Sequence, residues 1–533
     1  MTQELILVDY QVIGTNETIE GLCRDIALEQ TVEVPESLVT PEIESAVVGK
    51  IQRIEPDPSQ EGAFRATIGY PAHLTGGQIP QFFNLVYGNI SLKPGIRLEH
   101  IDFPASFVER FPGPKFGIAG IRKRAGVFGR PLLATAIKPK GAGDAHFAEM
   151  AYRFALGGGD LIKDDHNLGE EPFEAYRERT LRCRDAVYQA NRETGRNTLY
   201  LPSVIAPMDR IEAYFEFLTL EQFDGVLLSP GVVGFDMFRR LAATYPLILM
   251  AHPTFTGSFL SHRDHGISHG FLLGTLMRLL GADASVFPNY GGRFTFSQQD
   301  CHDICDRLRE PWHDKAAAFP APAGGMKFAN VESMSREFGA DTVFLIGGAL
   351  ISHDADIRVG TQAFADEIRK HFDEVIREPE SDLASACELP AVEASSEEPD
   401  RLLKFDNYGW SGRQPTHYKQ SETLPFQDVS RWELIGKQGE KTAFDLRYFE
   451  IAPGGYTSLE KHLHTHTIIG VRGKGILDIQ DAPGQPASQT EVAVNDIAYV
   501  APMQVHQLRN ERDEPFGFYC IVDHARDKPI PPS

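Results

Sequence analysis

A short polar run, Lys163-Asp164-Asp165-His166, directly follows an apolar segment and brings together residue types that bind metal ions. Carboxylate oxygens suit Mg²⁺ and imidazoles also bind divalent metals, so Asp165 and His166 are candidate ligands. A lysine ammonium cannot bind a metal. Lys163 would therefore have to be converted to an anionic form before it could act as a third ligand.

The elements that must position this run form a regular series between about residues 130 and 350. Short apolar segments alternate with longer amphipathic stretches, which indicates parallel strands buried on both faces and covered by helices. Eight such units within about 220 residues predict a closed (β/α)₈ barrel, and an open doubly wound sheet is the alternative. The predicted strands are Pro131–Ile137, Asp160–Ile162, Thr198–Ser203, Gly225–Leu228, Leu247–Ala251, Ala284–Phe287, Phe319–Ala323 and Thr342–Ile346.

Active sites of such barrels lie at the carboxyl ends of the strands, so the residues that follow each strand are candidates. Lys138 lies in the basic run Lys138-Pro139-Lys140, where crowded positive charge could lower its pKa enough for it to act as a base. Two glycine pairs end the seventh and eighth strands and expose backbone N–H groups that suit a phosphate. The predicted catalytic residues are Lys138, Lys140, Lys163, His252 and Arg293, and the predicted phosphate-binding residues are Gly324, Gly325, Gly347 and Gly348.

The regions that flank the barrel have different patterns. Residues 1–125 mix strand-like and helical segments, which predicts an α+β domain ahead of a barrel domain at 126–377. Residues 378–425 include an acidic, proline-containing stretch that predicts a linker. Residues 426–533 read as short strands separated by Gly, Pro and Asp, which predicts a small all-β barrel or sandwich.

The composition limits the classes of partner. The chain has 533 residues and a formal net charge of −22, which argues against nucleic acid or an anionic membrane as a partner. We find no signal peptide and no apolar run long enough for a transmembrane helix. The six cysteines are scattered, as in cytosolic proteins, so we expect a cytoplasmic location. Cys301 and Cys305 are four residues apart, but we expect ordinary helix residues there and no metal pair.

Three long motifs carry a family resemblance. They run from Phe107 to Pro114, from Gly129 to Lys140 and from Gly158 to Asp165. Over about residues 1–375 the chain closely resembles the RuBisCO large-subunit superfamily. The resemblance implies that CO₂ carbamylates Lys163, that the carbamate oxygens bind Mg²⁺ with Asp165 as a second ligand, and that Lys138 handles protons at the substrate carbon.

The resemblance also implies an oligomer. In this family the N-terminal domain reaches across a head-to-tail dimer to complete the site of its partner. Asn89 matches the asparagine used there, and Glu29 is a weaker match for a glutamate. We therefore expect a homodimer or a higher homo-oligomer.

Several departures separate the chain from the carboxylases of this family. His166 replaces a glutamate ligand, Pro253 replaces a phosphate-binding arginine and Thr256 replaces a histidine. Arg293 lies roughly where the carboxylases have a lysine that orients CO₂, and Ala323 replaces a serine. One phosphate site remains and the other is damaged, which favours a RuBisCO-like protein of form IV type and not a CO₂-fixing enzyme.

The C-terminal region carries a second group of potential metal ligands. Glu460, His462, His464 and His466 recur at every second position, so on a strand they would project from one face into a barrel. With His506, this pattern resembles the two motifs of cupins, which also include Gly455, Gly473, Pro502 and Asn510. We predict a transition-metal site of Fe, Mn, Ni, Cu or Zn at His462, His464, His466 and His506, with His466 or Glu460 in the role of the usual cupin glutamate.

These features predict an enzyme that forms an enediolate from a phosphorylated ketose or 3-oxo sugar acid, with Mg²⁺ as Lewis acid. The leading hypothesis is isomerisation of a substrate like methylthioribulose phosphate, coupled to a metal-dependent step in the cupin. The alternative is decarboxylation of a phosphorylated 3-oxo sugar acid, because the Lys-Asp-Asp-His and Asn-Tyr-Gly-Gly-Arg runs resemble the sugar-acid group. A sugar-phosphate-binding sensor or scaffold is the hypothesis from a different class.

Overall fold

The computed structural model describes two compact units, Met1–Ser381 and Asp382–Ser533. The residues it describes are 4–169, 172–377, 402–418, 425–437, 442, 444–462, 465–480 and 487–523. In this part of the chain, no helix is both long enough and apolar enough to span a membrane.

The first unit begins with a mixed sheet packed against helices, as the α+β prediction expected. Its strands are β1 (Leu5–Ile13), β2 (Lys50–Pro56), β3 (Ala63–Pro71) and β4 (Ile96–Asp102). Its helices are α1 (Ile19–Glu29), α2 (Pro41–Ala46), α3 (Ile79–Tyr87), α4 (Ala105–Val108) and α5 (Gly117–Ala125), with 3₁₀ turns at Glu36–Leu38, Ala72–Thr75 and Asn89–Leu92. Residues 1–3 lie outside the described part.

Eight parallel strands follow and confirm the predicted barrel. After a two-residue strand, β5 (Val127–Phe128), the strands of the first half are β6 (Leu132–Ile137), β7 (Leu161–Asp164), β8 (Leu199–Leu201) and β9 (Gly225–Leu228). Those of the second half are β10 (Ile248–Ala251), β12 (Ala284–Pro288), β13 (Phe319–Ala323) and β14 (Val343–Leu345), with the short β11 (Gly266–Ile267) between the first two. A parallel bridge between Ser203 and Leu227 joins β8 to β9, the two end strands of the sheet, and closes the ring.

The helices that connect these strands surround the barrel, as a parallel sheet requires. They are α6 (Asp144–Leu156), α7 (Phe173–Thr194), α8 (Ile211–Leu220), α9 (Pro230–Val233), α10 (Phe235–Thr244), α11 (Gly257–Leu260), α12 (Leu276–Leu280), α13 (Gln298–Arg309), α14 (Val331–Phe338), α15 (Gly348–His353) and α16 (Ile357–Arg369). A π-helical turn spans Gly270–Thr275 and a 3₁₀ turn spans Phe328–Asn330. Cys301 and Cys305 are buried on the core side of α13, as expected for ordinary helix residues.

Alternation along each barrel strand separates two apolar layers. Leu132, Ala134, Leu161, Ile248 and Met250 belong to the layer inside the barrel. Their immediate neighbours pack outward against the helices in the larger core cluster. Because the side-chain period of a strand is two, every second residue beyond an inward leucine or methionine also points inward, towards the barrel mouth.

The N-terminal sheet and the barrel are joined through the segment after β10. Strand β11 leaves the barrel and pairs in parallel with β4, so that it forms the edge of the N-terminal sheet. The Arg97 guanidinium donates to the carbonyl of His262 at 2.8 Å, and the Gly266 N–H donates to the Tyr87 hydroxyl at 2.8 Å. A short strand, β15 (Val375–Ile376), also pairs with β5. The predicted division at residue 125 therefore runs through one compact unit.

The second unit is an antiparallel β-barrel, as predicted. Its strands are β16 (Phe405–Asp406), β17 (Gly409–Trp410), β18 (Thr416–His417), β19 (Gln427–Ile435), β20 (Phe444–Tyr456), β21 (His466–Arg472), β22 (Lys474–Gln480), β23 (Ser488–Ala493), β24 (Ile497–Val500), β25 (Val505–Arg509) and β26 (Phe516–Asp523). Strand β20 pairs with β19 and β26, and β26 also pairs with β21. The predicted linker was too long, because β16, β17 and β18 lie inside 378–425 and Trp410 is buried among aromatic residues of the barrel.

Candidate active site and a second metal-binding cavity

A cavity of about 1000 Å³ opens at the carboxyl end of the barrel strands. Strand alternation explains which residues line it. Leu161 points into the barrel, so Lys163, two residues later, does too. In the same way Met250 points inward, and so does His252, two residues later. Lys138 and the loop residues Asp165 and His166 complete the polar wall. The cavity, called here the barrel cavity, thus brings together five residues that were predicted from the ends of three strands, β6, β7 and β10.

Asp165 is the centre of the polar contacts in the barrel cavity. One of its carboxylate oxygens lies 3.1 Å from the Lys138 ammonium, and the other lies 3.2 Å from Nδ1 of His166. The imidazole of His166 stacks on that of His252 at a centroid distance of 4.4 Å. Nδ1 of His252 in turn lies 2.6 Å from the hydroxyl of Thr254. These contacts hold a lysine, a carboxylate and two imidazoles around one space.

Burial determines the charge states at this site. Burial lowers the pKa of Lys163 to about 8, with Asp165 opposing the shift and Lys138 adding to it. Burial likewise lowers the pKa of His252 to about 2, so its imidazole is neutral. Burial opposes ionisation of Asp165, but hydrogen bonds from His166 and Lys138 outweigh it and hold the pKa of Asp165 below its usual range. The site therefore contains a lysine that readily becomes a neutral, nucleophilic amine beside a firmly ionised carboxylate.

The donor set at this end of the barrel fits a Mg²⁺ ion on one condition. Asp165 and His166 offer one carboxylate and one imidazole. The Lys163 ammonium donates to the carbonyl of Asp164 at 2.9 Å and offers no donor to a metal in that form. A carbamate on Lys163 would add anionic oxygens beside Asp165, which gives the oxygen-rich set that Mg²⁺ prefers.

Asp164 takes no part in the barrel cavity, since it points outward between the strands and the helices. Its carboxylate is fully buried and accepts hydrogen bonds from the Arg179 guanidinium at 2.9 Å, the Tyr200 hydroxyl at 2.8 Å and the Ser203 N–H at 3.0 Å. These contacts fix the end of β7, from which Lys163 points inward. Sequence reasoning assigned Asp164 no role, although strand alternation was the signal that separates it from its neighbours.

The predicted phosphate-binding glycines form an open wall of the barrel cavity. A Cβ added at Gly324, Gly347 or Gly348 would meet nothing within 4 Å, so a ligand can approach the backbone there. Gly324 and Gly325 have φ of +77° and +69°, a region that favours glycine. Arg293 lines the same cavity from the loop after β12 and is exposed.

Three residues predicted for the site lie elsewhere in the same chain. Lys140 is exposed, donates to the carbonyl of Asn167 at 2.8 Å and does not line the barrel cavity. The Asn89 amide donates to the carboxylates of Glu29 at 3.1 Å and Glu33 at 3.0 Å. Glu29 and Asn89 line a separate cleft of about 230 Å³ in the N-terminal region.

The barrel cavity also contains residues that sequence reasoning missed. Phe255 and Phe294 line it and are 73% and 54% exposed, so one side of the cavity offers aromatic surface. Nδ1 of His269 lies 3.0 Å from the Asp300 carboxylate, and both residues also line the cavity. Arg97 reaches the cavity from the N-terminal sheet. The alternation of Phe294 and Phe296 in the sequence could have indicated an aromatic face in this loop. The position of Arg97 depends on tertiary packing and could not be predicted from the sequence.

The β-barrel of the second unit encloses a cavity of about 1080 Å³, called here the C-terminal cavity. His462, His466 and His506 are buried in its wall, and their ligand nitrogens lie within 4.8 Å of one another. Converging imidazoles of this kind fit a transition-metal ion. His464, the fourth predicted ligand, lies outside the described residues.

The prediction of one regular strand through this histidine run was wrong. Strand β21 begins only at His466, while Glu460 forms an isolated bridge with His506. One Glu460 oxygen lies 2.9 Å from Nε2 of His462, and the other accepts from the Ser458 hydroxyl at 2.6 Å. Glu460 therefore orients an imidazole, as carboxylates behind metal-binding histidines do.

Comparison with known proteins agrees with this architecture. Residues 117–388 match the family described as ribulose bisphosphate carboxylase large chain, catalytic domain. Ribulose bisphosphate carboxylase-like protein 1 of Rhodopseudomonas palustris is 33% identical over 370 residues, which cover 69% of this chain and 98% of that protein. The 5-methylthioribulose-1-phosphate isomerase of Rhodospirillum rubrum is 35% identical over 359 residues, which cover 67% of this chain and 94% of that enzyme.

A solved structure shows the same likeness in three dimensions. The crystal structure of a Rubisco-like protein from Rhodopseudomonas palustris superposes with a TM-score of 0.62 at 33% identity, and the match covers 69% of this chain and 99% of that one. The family match ends at residue 388, before the β-barrel of the second unit. The chain therefore belongs to the ribulose bisphosphate carboxylase large-chain family and, within it, to the RuBisCO-like proteins.

Proposed function

We propose that the first unit is a Mg²⁺-dependent enzyme that isomerises a phosphorylated ketose through an enediolate. The observation that carries this proposal is the convergence of Lys138, Lys163, Asp165 and His166 in the barrel cavity, opposite open glycine backbone at Gly324 and Gly347. A base, a set of metal ligands and a phosphate-sized backbone wall are what proton transfer next to a carbonyl requires.

Each residue has a defined part in this proposal. Asp165, His166 and carbamylated Lys163 would hold Mg²⁺, which when bound polarises the substrate carbonyl as a Lewis acid. Lys138, 3.1 Å from Asp165, removes the proton from the adjacent carbon and returns it to another. The glycine pairs receive the phosphate, and Arg293 contributes positive charge from the loop above. His252 stays neutral and packs against His166.

The Rhodospirillum rubrum relative, which is named an isomerase of a phosphorylated ketose, supports isomerisation. Decarboxylation of a phosphorylated 3-oxo sugar acid remains the second candidate, favoured by His166 and by Arg293 in the loop after β12. Both reactions involve an enediolate intermediate. They differ in that isomerisation returns a proton to another carbon, whereas decarboxylation releases CO₂.

Incubation of the Mg²⁺- and CO₂-treated protein with a panel of ketose phosphates and 3-oxo sugar acid phosphates in D₂O tests the proposal. We expect deuterium at the carbon next to the carbonyl of an isomerised product, without release of CO₂. Lys138→Met should slow the exchange by about 10²- to 10⁴-fold, the usual contribution of a general base. Lys140→Met, an exposed neighbour outside the cavity, is the matched control and should retain the wild-type rate.

Two other results would lead away from isomerisation. Release of CO₂ from a sugar acid would establish the decarboxylase instead. Tight binding of sugar phosphates without any exchange in the wild-type protein would point to a sensor or scaffold.

We also propose that two chains associate head to tail and that Asn89 and Glu29 of one chain complete the site of the other. Their position supports this, because they lie outside the barrel cavity of their own chain. Mixing Asn89→Ala chains with Lys138→Met chains tests it, since shared sites predict restored activity up to about a quarter of wild type by random pairing. No restoration in a mixed dimer would contradict shared sites.

For the second unit we propose a cupin-type transition-metal site at His462, His466 and His506, with Fe, Mn, Ni, Cu or Zn as the metal. The buried convergence of the three imidazoles supports it. A metal with open coordination positions in a cavity of this size can bind and activate a small molecule.

A further inference from the structure

Two arginines face the C-terminal cavity, while the carboxylates that pair with them do not line it. Arg431 and Arg447 are both lining residues. Glu433 lies 3.2 Å from Arg431, and Asp445 lies 2.7 Å from Arg447, but neither carboxylate is part of the lining. Asp445 and Glu433 are each two residues from their arginine on the same strand, so each carboxylate lies beside its guanidinium group on the same strand face.

Arg447 is held in place by the sheet and by charge. It is 7% exposed and lies on the inward face of β20. The fully buried Asp445 accepts from its Nη2 and also lies 3.4 Å from the Lys437 ammonium. Asp445 thus holds the Arg447 guanidinium in the wall of the cavity.

The register of the strands places Arg447 a short distance from the predicted metal ligands. Arg447 on β20 lies directly opposite Cys520 on β26, and Cys520 lies directly opposite Ile468 on β21. The Cys520 sulfur is 4.0 Å from Nδ1 of His466, which begins β21. Arg447 and His466 are therefore two strand spacings of about 4.8 Å apart across the sheet and two residues apart along it.

We propose that the C-terminal cavity binds a small organic oxyanion, a phosphate ester or a carboxylate. Arg447 and Arg431 hold its charged group, and its other oxygen atoms face the metal that the three histidines would hold. The span of about 10 Å suits a molecule the size of a sugar phosphate or sugar acid. Guanidinium groups match the geometry of phosphate and carboxylate oxygens, and such charge-assisted pairs are stronger than neutral hydrogen bonds. Cys520 and Val522 line the cavity between Arg447 and His466, and Phe449 and Phe518 add apolar surface on the other side of Arg447.

This inference rests on the metal site proposed above, so the test measures the metal and the anion separately. The full chain carrying Lys163→Met is loaded with Co²⁺, and bound cobalt is counted. Ribose 5-phosphate, ribonate and neutral ribose are then titrated while the visible absorption of the histidine-bound Co²⁺ is followed. We expect a saturable spectral change with at least one of the two anions and a more than 100-fold weaker effect with ribose. The stronger anion identifies the class of ligand.

Arginine variants provide the decisive comparison. Arg447→Gln should retain its Co²⁺ and raise the apparent Kd of the preferred anion by about 10- to 100-fold, the usual effect of losing a charged hydrogen bond. Arg447→Lys should recover part of that loss. Arg472→Gln is the matched control, because Arg472 pairs with Glu450 and does not line the cavity.

Each contrary result is distinct. Full Co²⁺ occupancy with equal responses to ribose and the anions, or an Arg447→Gln Kd within twofold of wild type, would overturn the anion site and leave the metal site intact. Absence of Co²⁺ from the unmodified second unit would overturn the metal site, and this inference with it. If Arg447→Gln does not fold, Arg431→Gln and the ribose comparison decide the same question.

Discussion

Neighbouring residues of the run Lys163 to His166 have different contacts, because successive side chains of a strand point to opposite faces of the sheet. Lys163 points into the barrel cavity, whereas Asp164 points away from it and binds Arg179. Asp165, beyond the strand, reaches the cavity again and contacts Lys138. His166, the next residue, contacts the other carboxylate oxygen of Asp165 and stacks on His252.

The first prediction concerns Lys163 itself. Its buried amine adds to CO₂, losing a proton and forming a carbamate, because burial favours the neutral nucleophile. With ¹³CO₂ and Mg²⁺ present, the carbon NMR spectrum of the protein should contain a carbamate signal. Lys163→Met should remove the signal and reduce deuterium exchange to background, while Lys140→Met should keep both. A carbamate signal that persists in Lys163→Met, or full exchange without one, would contradict this role.

At the scale of single elements, the barrel strands carry both the site and its support. Strand β7 is only four residues long and buried throughout. Its outward carboxylate, Asp164, is 0% exposed and pairs with Arg179 of α7, which is 1% exposed. A buried pair of this kind is costly to break, because the remaining charge has no water to solvate it.

Arg179→Met should therefore lower the free energy of unfolding of the first unit by about 3–5 kcal/mol. Urea-dependent hydrogen exchange of peptides from β6 and β7 would measure the change. Arg177→Met on the same helix is the control, because Arg177 is half-exposed and pairs with exposed Glu174, an interaction usually worth about 0–1 kcal/mol. Equal losses in the two variants would show that the Asp164 contact does not stabilise β7.

The pattern of apolar strands was enough to predict the barrel, and with it several residues that line the barrel cavity. Lys138, Lys163 and His252 were found because a strand-end position is readable from the chain. The bend of the segment after β10, which brings Phe255 into the cavity, has φ of +70° at that residue and gives no comparable signal. In the second unit, period two did not predict the strand limits, because Glu460 makes an isolated bridge with His506 and β21 begins at His466. The position of Arg447 in the C-terminal cavity could not be predicted from the sequence, because it depends on the register of β20 against β26.

At the scale of the whole molecule, the chain has two units with two different donor chemistries. With a carbamate on Lys163, the first would offer oxygen donors suited to Mg²⁺, and the second offers three imidazoles suited to a later transition metal. The family match ends at residue 388, so the second unit is an addition to the family fold. Because the two sites have different ligands, we expect each to bind its metal, and to lose it on mutation, independently of the other.

His506→Ala should separate the two sites. Loss of one imidazole from three should reduce the transition metal bound per chain from about one to near zero, since losing even a residue that only hydrogen-bonds to a metal ligand costs about 10- to 100-fold in affinity. Mass spectrometry of metals in protein grown with Mn, Fe, Ni, Cu and Zn would count it. Deuterium exchange by the first unit with Mg²⁺ should stay within twofold of wild type. His353→Ala is the control, because His353 is an exposed histidine of the first unit, and its bound metal and its exchange rate should both stay within twofold of wild type. Conversely, Lys163→Met should abolish exchange and leave the transition metal in place. If His506→Ala also abolished exchange in a folded protein, the two sites would have to act as one, and the separation of their chemistries would be wrong.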